Sequence, residues 1–327
     1  MNELKNKKPK VLVTREIPAE GLDLLNKHCE VTVGARDRML SREELLGLVK
    51  EKDALLSMLT DQVDRVLMET APSLKVVSNF AVGFDNIDVE EATRRGIAVT
   101  HTPEVLTDAT ADLAFTLLLD VARRVTEGDR LTRAGRWKEW APLFHLGKDV
   151  SGSTLGIIGM GRIGRAVAKR ARGFDMKVFY HSRTRLPLEE EKKLGVSYLP
   201  FRDLLRQSDF VSLHAPYNDN THHLIGREEF SLMKESAYLI NTSRGALVDE
   251  PALVKALQQG EIAGAGLDVY EDEPRLASGL AHLNSVVLAP HLGSATRETR
   301  GRMAVTAAQN VVAELCGIGV SKRVNSL

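Results

Sequence analysis

The sequence predicts an α/β protein built from two doubly wound parallel sheets. Short apolar runs rich in β-branched residues alternate with segments of helical period along the chain, which is typical of βαβ units. The alternation falls into two series, and a glycine-rich turn lies near the start of the second. A long helical segment follows the last predicted strand and has no further strand of that series to serve. We therefore expect it to return to the first domain.

The first series predicts a small doubly wound domain. Its strands are expected at 11–13, 30–33, 54–59, 75–80 and 97–100, and its helices around 19–28, 41–52, 61–71 and 88–95. Five parallel strands are enough for a flavodoxin-like sheet. A long apolar helix over 107–124 then leads to the second series.

The second series predicts the larger sheet. Its strands are expected at 154–158, 177–180, 197–199, 210–213, 238–241, 266–269 and 286–288, and a last helix at 295–315. The first domain is then discontinuous, comprising residues 1–101 and 294–327, with residues 102–293 inserted as the second domain.

Composition excludes several classes of function. The 327 residues carry 44 Lys plus Arg against 44 Asp plus Glu, and 43% are hydrophobic, as in ordinary globular proteins. A protein that binds nucleic acid or an anionic membrane usually has a basic excess, so we expect neither partner. The longest strongly apolar stretch, 113–119, is too short to span a bilayer.

Cysteine and histidine usage predicts neither disulfides nor a metal site. The two cysteines, Cys29 and Cys316, lie far apart in sequence, and we read no signal peptide, so a cytoplasmic location is expected. His222 and His223 are adjacent and would point to opposite faces of an extended segment. No cysteine or acidic pair at ligand spacing accompanies them, so we expect no metal.

The glycine-rich turn predicts a dinucleotide site. It follows the predicted strand 154–158 and opens a helix, and its key residues are Gly159, Gly161, Arg162, Ile163 and Gly164. Glycines there permit a tight turn and close backbone approach to a pyrophosphate, and the helix N-terminus offers free N–H groups. The second domain is therefore predicted to be a Rossmann domain.

The end of the next strand indicates which dinucleotide binds. Sites for NAD usually place Asp or Glu there to accept from the ribose 2′-hydroxyl, whereas this chain has Ser182, Arg183 and Thr184. Arg183 can pair with a 2′-phosphate and the hydroxyls can donate to it, so NADP(H) is preferred, with NAD(H) as the alternative. A solvated basic loop is the other interpretation of this segment.

Several separated motifs together resemble one family. They are Gly159-Met-Gly-Arg-Ile-Gly164, His214-Ala-Pro216, Asn241-Thr-Ser-Arg-Gly245, Gly266-Leu-Asp-Val-Tyr270 with Glu273-Pro274, and Pro290-His-Leu-Gly-Ser294. In this order they resemble the D-isomer-specific 2-hydroxyacid dehydrogenases, most closely the glyoxylate/hydroxypyruvate reductases. The similarity covers essentially the whole chain, including residues 80–88 of the first domain.

The resemblance implies a catalytic trio of Arg244, Glu273 and His291. Arg244 would grip the substrate carboxylate and polarise the adjacent carbonyl. His291 would donate a proton to the carbonyl oxygen as hydride arrives at carbon, and Glu273 would bind the other ring nitrogen and favour the protonated form. Taken singly, each residue also has a plain structural interpretation: a surface ion pair, a turn residue before Pro274, and a satisfied polar side chain.

The same resemblance implies supporting positions. On the substrate side, the N–H groups of Val82 and Gly83 would hold the carboxylate, Leu59 would line the cleft, and Trp140 would reach a partner subunit's site. On the cofactor side, Asp268 would accept from the nicotinamide carboxamide. The other cofactor positions are Thr110, His214, Ala215, Pro216, Thr242 and Gly293. Packing alone is the alternative for these positions.

The expected function is NAD(P)H-dependent reduction of glyoxylate or hydroxypyruvate to glycolate or D-glycerate, with neither substrate favoured by the sequence. A D-3-phosphoglycerate or D-lactate type dehydrogenase is the alternative within enzymes. A non-catalytic dinucleotide-sensing module is the alternative from another class. The segment 135–143, which contains Trp137 and Trp140, resembles the dimerisation arm of such reductases, so a homodimer is expected.

Overall fold

The computed structural model describes residues 8–319 and 321–327. The chain divides into two compact units, Met1–Leu106 with Thr296–Leu327, and Thr107–Ala295. The predicted domain ends, at residues 101 and 293, lie a few residues earlier. The segment after residue 101 is still held in the first unit, because the Thr102 N–H donates to the Ala81 carbonyl at 2.8 Å.

The first unit contains a five-stranded parallel sheet. Its elements are β1 (Lys10–Arg15), α1 (Ala19–His28), β2 (Glu30–Ala35), α2 (Arg42–Val49), β3 (Ala54–Ser57), α3 (Arg65–Thr70), β4 (Val76–Asn79), α4 (Val89–Arg94) and β5 (Ala98–Thr100). The strand order is β2-β1-β3-β4-β5, with every pair parallel. This is the flavodoxin-like order, and it confirms the predicted fold class.

Side-chain caps determine where two of these helices begin. The Ser41 hydroxyl accepts from the Glu44 N–H, and the Glu44 carboxylate accepts from the Ser41 N–H in return, so α2 starts at Arg42. Asp64 accepts from the Leu67 N–H at 3.0 Å and caps α3. The expected helices at 41–52 and 61–71 are therefore too long.

The C-terminal helix completes this unit. This helix spans Arg297–Cys316 and, as the last helix in chain order, is numbered α12. Its Ala304, Ala307 and Val311 are fully buried in one apolar cluster with Val11 of β1. Gly21 permits α1 to approach closely, since a Cβ there would lie 2.7 Å from the Ala304 carbonyl oxygen.

The chain end after α12 pairs with the edge strand β5. Arg323 bridges to Thr100 in antiparallel sense, and the Val324 N–H donates to the Val99 carbonyl at 2.7 Å. Two guanidinium nitrogens of Arg323 each lie 2.6 Å from an oxygen of Glu314 in α12. The tail thus covers a strand edge that would otherwise be open.

The second unit contains a seven-stranded parallel sheet. Its elements are α5 (Thr107–Arg123), α6 (Val125–Arg133), β6 (Thr154–Ile158), α7 (Arg162–Ala171), β7 (Lys177–His181), α8 (Leu188–Leu194), β8 (Val196–Tyr198), α9 (Phe201–Gln207), β9 (Phe210–Leu213), α10 (Arg227–Leu232), β10 (Tyr238–Asn241), α11 (Glu250–Gln259), β11 (Gly264–Leu267) and β12 (Val286–Leu288). The order β12-β11-β10-β9-β6-β7-β8 is that of a Rossmann sheet extended by one strand. The predicted Rossmann fold is confirmed.

One local expectation for this unit was wrong, and one helix was not predicted. The strand expected at 266–269 lies at Gly264–Leu267, so Asp268 stands just past the strand end. Helix α6 is not among the predicted elements, because its sequence is polar and none of its residues is buried. Within the described residues, no helix combines the length and the apolar character needed to span a bilayer.

Candidate active site

The glycine-rich turn between β6 and α7 forms an open cradle at a helix N-terminus. Gly159 has φ +98°, and a Cβ on it would lie 2.5 Å from the Ala215 nitrogen. A Cβ on Gly164 would lie 2.2 Å from the Gly159 carbonyl oxygen, whereas Gly161 at the N-cap has nothing within 4 Å. The first and third glycines are thus needed for backbone packing, and the second leaves space in front of the helix for an anion.

The loop after β7 carries the residues predicted to recognise a 2′-phosphate. The Ser182 hydroxyl donates to the Thr184 carbonyl at 2.6 Å, and Arg183 and Thr184 are exposed. Arg185 is bound to the nearly buried Glu191 at 2.8 and 3.0 Å. Arg183 makes no ion pair or hydrogen bond within the described part of the chain. Of the two arginines, Arg183 is therefore the one available to a ligand.

The segment after β9 packs against the glycine turn. The His214 N–H donates to the Ile158 carbonyl at 2.7 Å, and the Ala215 carbonyl accepts from the Ser243 hydroxyl at 2.6 Å. Burial lowers the pKa of His214 to about 4, so its ring is neutral near neutral pH, 2.9 Å from the Ser212 hydroxyl. Pro216, the next predicted cofactor position, is exposed.

Three predicted cofactor residues form one buried cluster. The Thr110 hydroxyl donates to the Gly293 carbonyl at 3.0 Å, and the Gly293 N–H donates to Asp268 at 2.8 Å. The other Asp268 oxygen accepts from the Leu292 N–H at 2.5 Å. Burial raises the pKa of Asp268, while the two N–H groups and the charge of His291 oppose the shift. Asp268 therefore anchors the loop after β12, which the sequence did not indicate.

Thr242 carries an unsatisfied hydroxyl. Thr242 is 8% exposed, and its Oγ1 is buried without a hydrogen-bond partner within the described residues. An orphaned hydroxyl of this kind is costly unless a ligand or water satisfies it. Together with the cradle at Gly161, it fits a polar cofactor in this unit.

Arg244 is held by a turn that Asn241 builds. The Asn241 amide nitrogen donates to the Arg244 carbonyl at 2.8 Å, and its oxygen accepts from the Ser243 N–H at 3.0 Å. A Cβ on Gly245 would lie 1.8 Å from the Tyr270 carbonyl carbon, so this segment abuts the one leading to Glu273. Asn241 was missed as a functional position, although it is the first residue of one of the motifs that carry the resemblance.

Glu273 and His291 form a hydrogen-bonded pair. His291 Nδ1 lies 2.9 Å from Glu273 Oε2, the other Glu273 oxygen accepts from the Tyr270 N–H at 3.1 Å, and the paired side chains are 32% and 33% exposed. Burial alone would raise the pKa of Glu273. The pKa is instead lowered below the usual carboxyl range. The causes are the hydrogen bond to His291 and the charge of that ring, the Tyr270 N–H, and the charge of Arg244. An ionised carboxylate thus faces one ring nitrogen and leaves the other for a substrate.

The predicted substrate residues of the first unit follow adjacent strands. Leu59 comes after β3, and Val82 and Gly83 come after β4. The Val82 carbonyl lies 2.8 Å from His101 Nδ1, and the Gly83 carbonyl accepts from the Asn79 amide at 2.8 Å. The N–H groups of Val82 and Gly83 donate to nothing in the described chain. Two adjacent free donors are suited to an anionic group.

The segment after α6 is exposed and rich in large apolar side chains. Trp140 is 80% exposed and Leu143 83%, and the Trp137 ring nitrogen donates to the Glu139 carbonyl at 3.0 Å. An exposed apolar patch of this kind is typical of a protein interface. Trp140 itself makes no hydrogen bond or ring contact within the described residues, and its expected role at a partner's site stays a prediction.

The histidine pair does not lie in the extended segment that the sequence led us to expect. His222 and His223 lie in a turn rather than an extended segment, and His223 has φ +50°. Their rings stack with centroids 3.9 Å apart, and His223 Nε2 lies 2.7 Å from a carboxylate oxygen of Glu271. The two side chains therefore do not point to opposite faces, and an acidic residue does accompany them.

The chain is similar to known dehydrogenases and reductases along most of its length. The family described as "D-isomer specific 2-hydroxyacid dehydrogenase, NAD binding domain" matches residues 115–293. The glyoxylate reductase of Thermococcus litoralis is 55% identical over 310 residues, which are 94% of this chain and 93% of that protein.

Solved structures agree with this placement. The TT0316 protein of Thermus thermophilus is 48% identical with a TM-score of 0.91, over 97% of this chain and 100% of that one. A Sinorhizobium meliloti NADPH-dependent glyoxylate/hydroxypyruvate reductase, solved with NADP and malonate, is 33% identical with a TM-score of 0.85 over 97% of both chains.

Proposed function

The chain belongs to the D-isomer specific 2-hydroxyacid dehydrogenase family, and from that premise we propose that it reduces glyoxylate or hydroxypyruvate to glycolate or D-glycerate. The observation that carries the proposal is the pair of His291 and the ionised Glu273 beside Arg244, in the unit that also holds the glycine cradle. The names of the relatives support the substrate class.

The three side chains divide the work of a carbonyl reduction. A bound reduced nicotinamide supplies the hydride that the carbonyl carbon accepts. Arg244 holds the substrate carboxylate through charge-assisted hydrogen bonds and orients the carbonyl. His291 donates the Nε2 proton to the oxygen as negative charge develops there. Glu273 holds Nδ1 and stabilises the positive charge of the ring before that proton leaves.

Cofactor binding is assigned to the second unit. Gly159, Gly161, Arg162, Ile163 and Gly164 would surround the pyrophosphate at the start of α7, where the helix dipole favours an anion. The nicotinamide end is assigned to Thr110, His214, Ala215, Pro216, Thr242, Asp268 and Gly293. The unsatisfied hydroxyl of Thr242 supports this assignment.

The preferred dinucleotide is NADP(H), with NAD(H) as the weaker alternative. The exposed Arg183 beside Ser182 and Thr184 supports it, and the Sinorhizobium meliloti relative was solved with NADP. We expect Arg183→Ala to raise the KM for NADPH about tenfold or more with little change for NADH. The matched control is Arg185→Ala, because Arg185 is already bound to Glu191. Equal loss with both cofactors would contradict the assignment.

Substrate binding and assembly complete the proposal. Leu59 and the free N–H groups of Val82 and Gly83 are assigned to the substrate. The exposed arm at 135–143 is assigned to a homodimer interface that brings Trp140 to the partner's site. Light scattering of a variant with Trp137 and Trp140 both changed to Ala should show a weakened dimer. The two free cysteines support a reducing compartment, the cytoplasm.

Steady-state kinetics tests the function directly. Glyoxylate, hydroxypyruvate, pyruvate and phosphohydroxypyruvate are each assayed with NADH and NADPH. We expect the highest kcat/KM with glyoxylate or hydroxypyruvate. A clear preference for phosphohydroxypyruvate or pyruvate would assign the chain to another dehydrogenase. Tight nucleotide binding without turnover would indicate a dinucleotide-sensing module instead.

A further inference from the structure

A second cluster of ligating side chains lies in the second unit, outside the trio. It consists of His222 and His223, in the turn between β9 and α10, and Glu271, between β11 and β12. One ligand atom from each residue lies within 4.8 Å of the others. Across residues 8–319 and 321–327, this is the one group of three or more His, Cys, Asp or Glu side chains with such spacing.

The backbone holds two of these residues in place. The His223 N–H donates to the Ala246 carbonyl at 2.8 Å, and His223, which has a left-handed backbone conformation, places its Nε2 2.7 Å from Glu271. The Glu271 N–H donates at 2.9 Å to the carboxylate of Glu250, which is only 4% exposed. Backbone hydrogen bonds to the core of the unit already fix the positions of His223 and Glu271. Less conformational entropy is therefore lost when the two residues bind an ion.

The third residue can complete the set by a side-chain rotation. The His222 ring is exposed and stacks on His223 at an interplanar angle of 21°, with its edge near Tyr217. In stacked rings the nitrogen lone pairs run nearly parallel, so His222 must rotate for its lone pair to converge on an ion. An exposed histidine changes rotamer readily.

We propose that His222, His223 and Glu271 bind a divalent transition-metal ion of the Zn²⁺ type. Two imidazoles and one carboxylate are a donor set that Zn²⁺ uses, with water in the fourth position, whereas Mg²⁺ and Ca²⁺ prefer oxygen ligands. The bound ion would replace the hydrogen bond that now joins His223 Nε2 to Glu271. The proposal does not depend on the proposed activity, because it concerns binding alone.

The position of the site gives the ion a structural role. Glu271 lies two residues before Glu273, and the His223 turn is bonded to Ala246, two residues after Arg244. An ion bound by both segments would join the loops that carry these two members of the trio. We therefore expect the bound ion to raise the Tm, since a ligand that binds only the folded chain stabilises it.

Zinc binding to the full-length protein tests the proposal. After treatment with EDTA and desalting, equilibrium dialysis against ZnCl₂ should give one ion per chain. His222→Gln and Glu271→Gln should each weaken binding about 100-fold or more, because each removes a direct ligand. Co²⁺ should give the visible absorption of a tetrahedral site in wild type and not in these variants.

Two control variants make the outcome decisive. His282→Gln changes an exposed histidine outside the cluster and should bind zinc like wild type. His291→Gln should also retain the ion, and loss of binding there would place the ion at the trio instead. His222 is exposed, so His222→Gln should keep the circular dichroism and metal-free Tm of wild type. Wild type that binds no stoichiometric zinc, or cluster variants that bind as His282→Gln does, would overturn the proposal.

Discussion

Replacing Glu273 by Gln removes the negative charge beside His291, the proposed proton donor, and preserves the shape of the Glu273 side chain. In wild type the carboxylate lies 2.9 Å from His291 Nδ1 and also accepts from the Tyr270 N–H. An amide can keep either bond through its oxygen but cannot stabilise a positive ring. The variant therefore isolates the electrostatic part of the pairing.

The expected size of the effect follows from Coulomb's law and solvent exposure. Unit charges about 4 Å apart in surroundings of effective dielectric constant about 20 interact by about 4 kcal/mol. Each side chain is about one-third exposed, and screening leaves roughly 1.5–2 kcal/mol. Since 1.4 kcal/mol is tenfold, kcat for reduction near neutral pH should fall about 10- to 30-fold.

The pH profile separates this effect from general damage. The pKa of Glu273 is lowered from its ordinary value of 4.5, so the carboxylate is ionised throughout the usual assay range. Because Glu273→Gln removes that charge, the limbs of its pH profile for reduction should not both match those of wild type. The control is Asp272→Asn, the neighbouring exposed acid, which is paired with Arg275. If Glu273→Gln kept the wild-type kcat and both limbs, the assigned role would be wrong.

Three further predictions concern the thiols, the chain end and the backbone near Arg244. Burial raises the pKa of Cys29 from 9.0 to about 11. Iodoacetamide should therefore modify Cys29 at pH 8 about 100-fold more slowly than it modifies an exposed cysteine, and peptide mapping measures the rate at each thiol. The pairing with Arg323 lowers the pKa of Glu314, so its stabilisation is present above pH 4.5 and is lost as pH falls through the lower folded-state value. Glu314→Gln should cost about 1 kcal/mol at pH 7, because Arg323 is 43% exposed, and its Tm should approach that of wild type once the pH falls below the lowered pKa of Glu314. Gly245→Ala places a Cβ 1.8 Å from the Tyr270 carbonyl carbon, and the resulting shift should lower kcat/KM about 100-fold, whereas unchanged kinetics would show that this contact is not needed.

The sequence predicts best the elements that are buried on both faces. The strands expected at 154–158, 210–213 and 238–241 have those bounds in the structure, and all of their residues are buried except the first of the first strand and the first of the third. Buried parallel strands read as continuous apolar runs, so their limits are visible in composition. The polar helix α6 buries no residue and leaves no such run, and the start of α3 depends on a cap by Asp64 that propensity alone does not specify.

The candidate site shows the same division. The residue types of the trio could be named from motifs, but the anchoring of the His291 loop by Asp268 could not, because it depends on N–H groups that only the folded loop brings together. The approach of Glu271 to His223 depends on a left-handed residue and a contact across 48 positions. Adjacent histidines point apart on a strand but not in this turn, so the expected opposite orientation of His222 and His223 was wrong.

Strand register explains why residues so far apart in sequence meet at the site. Asn241 of β10 pairs with Leu267 of β11, and Leu267 pairs with Leu288 of β12. Arg244 and His291 each lie three residues past these partners, and so does Tyr270, whose N–H binds Glu273. Equal steps beyond adjacent parallel strands lead to the same edge of the sheet, where α/β proteins bind ligands. The lengths of α11 and of the segment between Glu273 and β12 can therefore vary without moving the trio, whereas inserting one residue between Leu288 and His291 should displace His291 from Glu273.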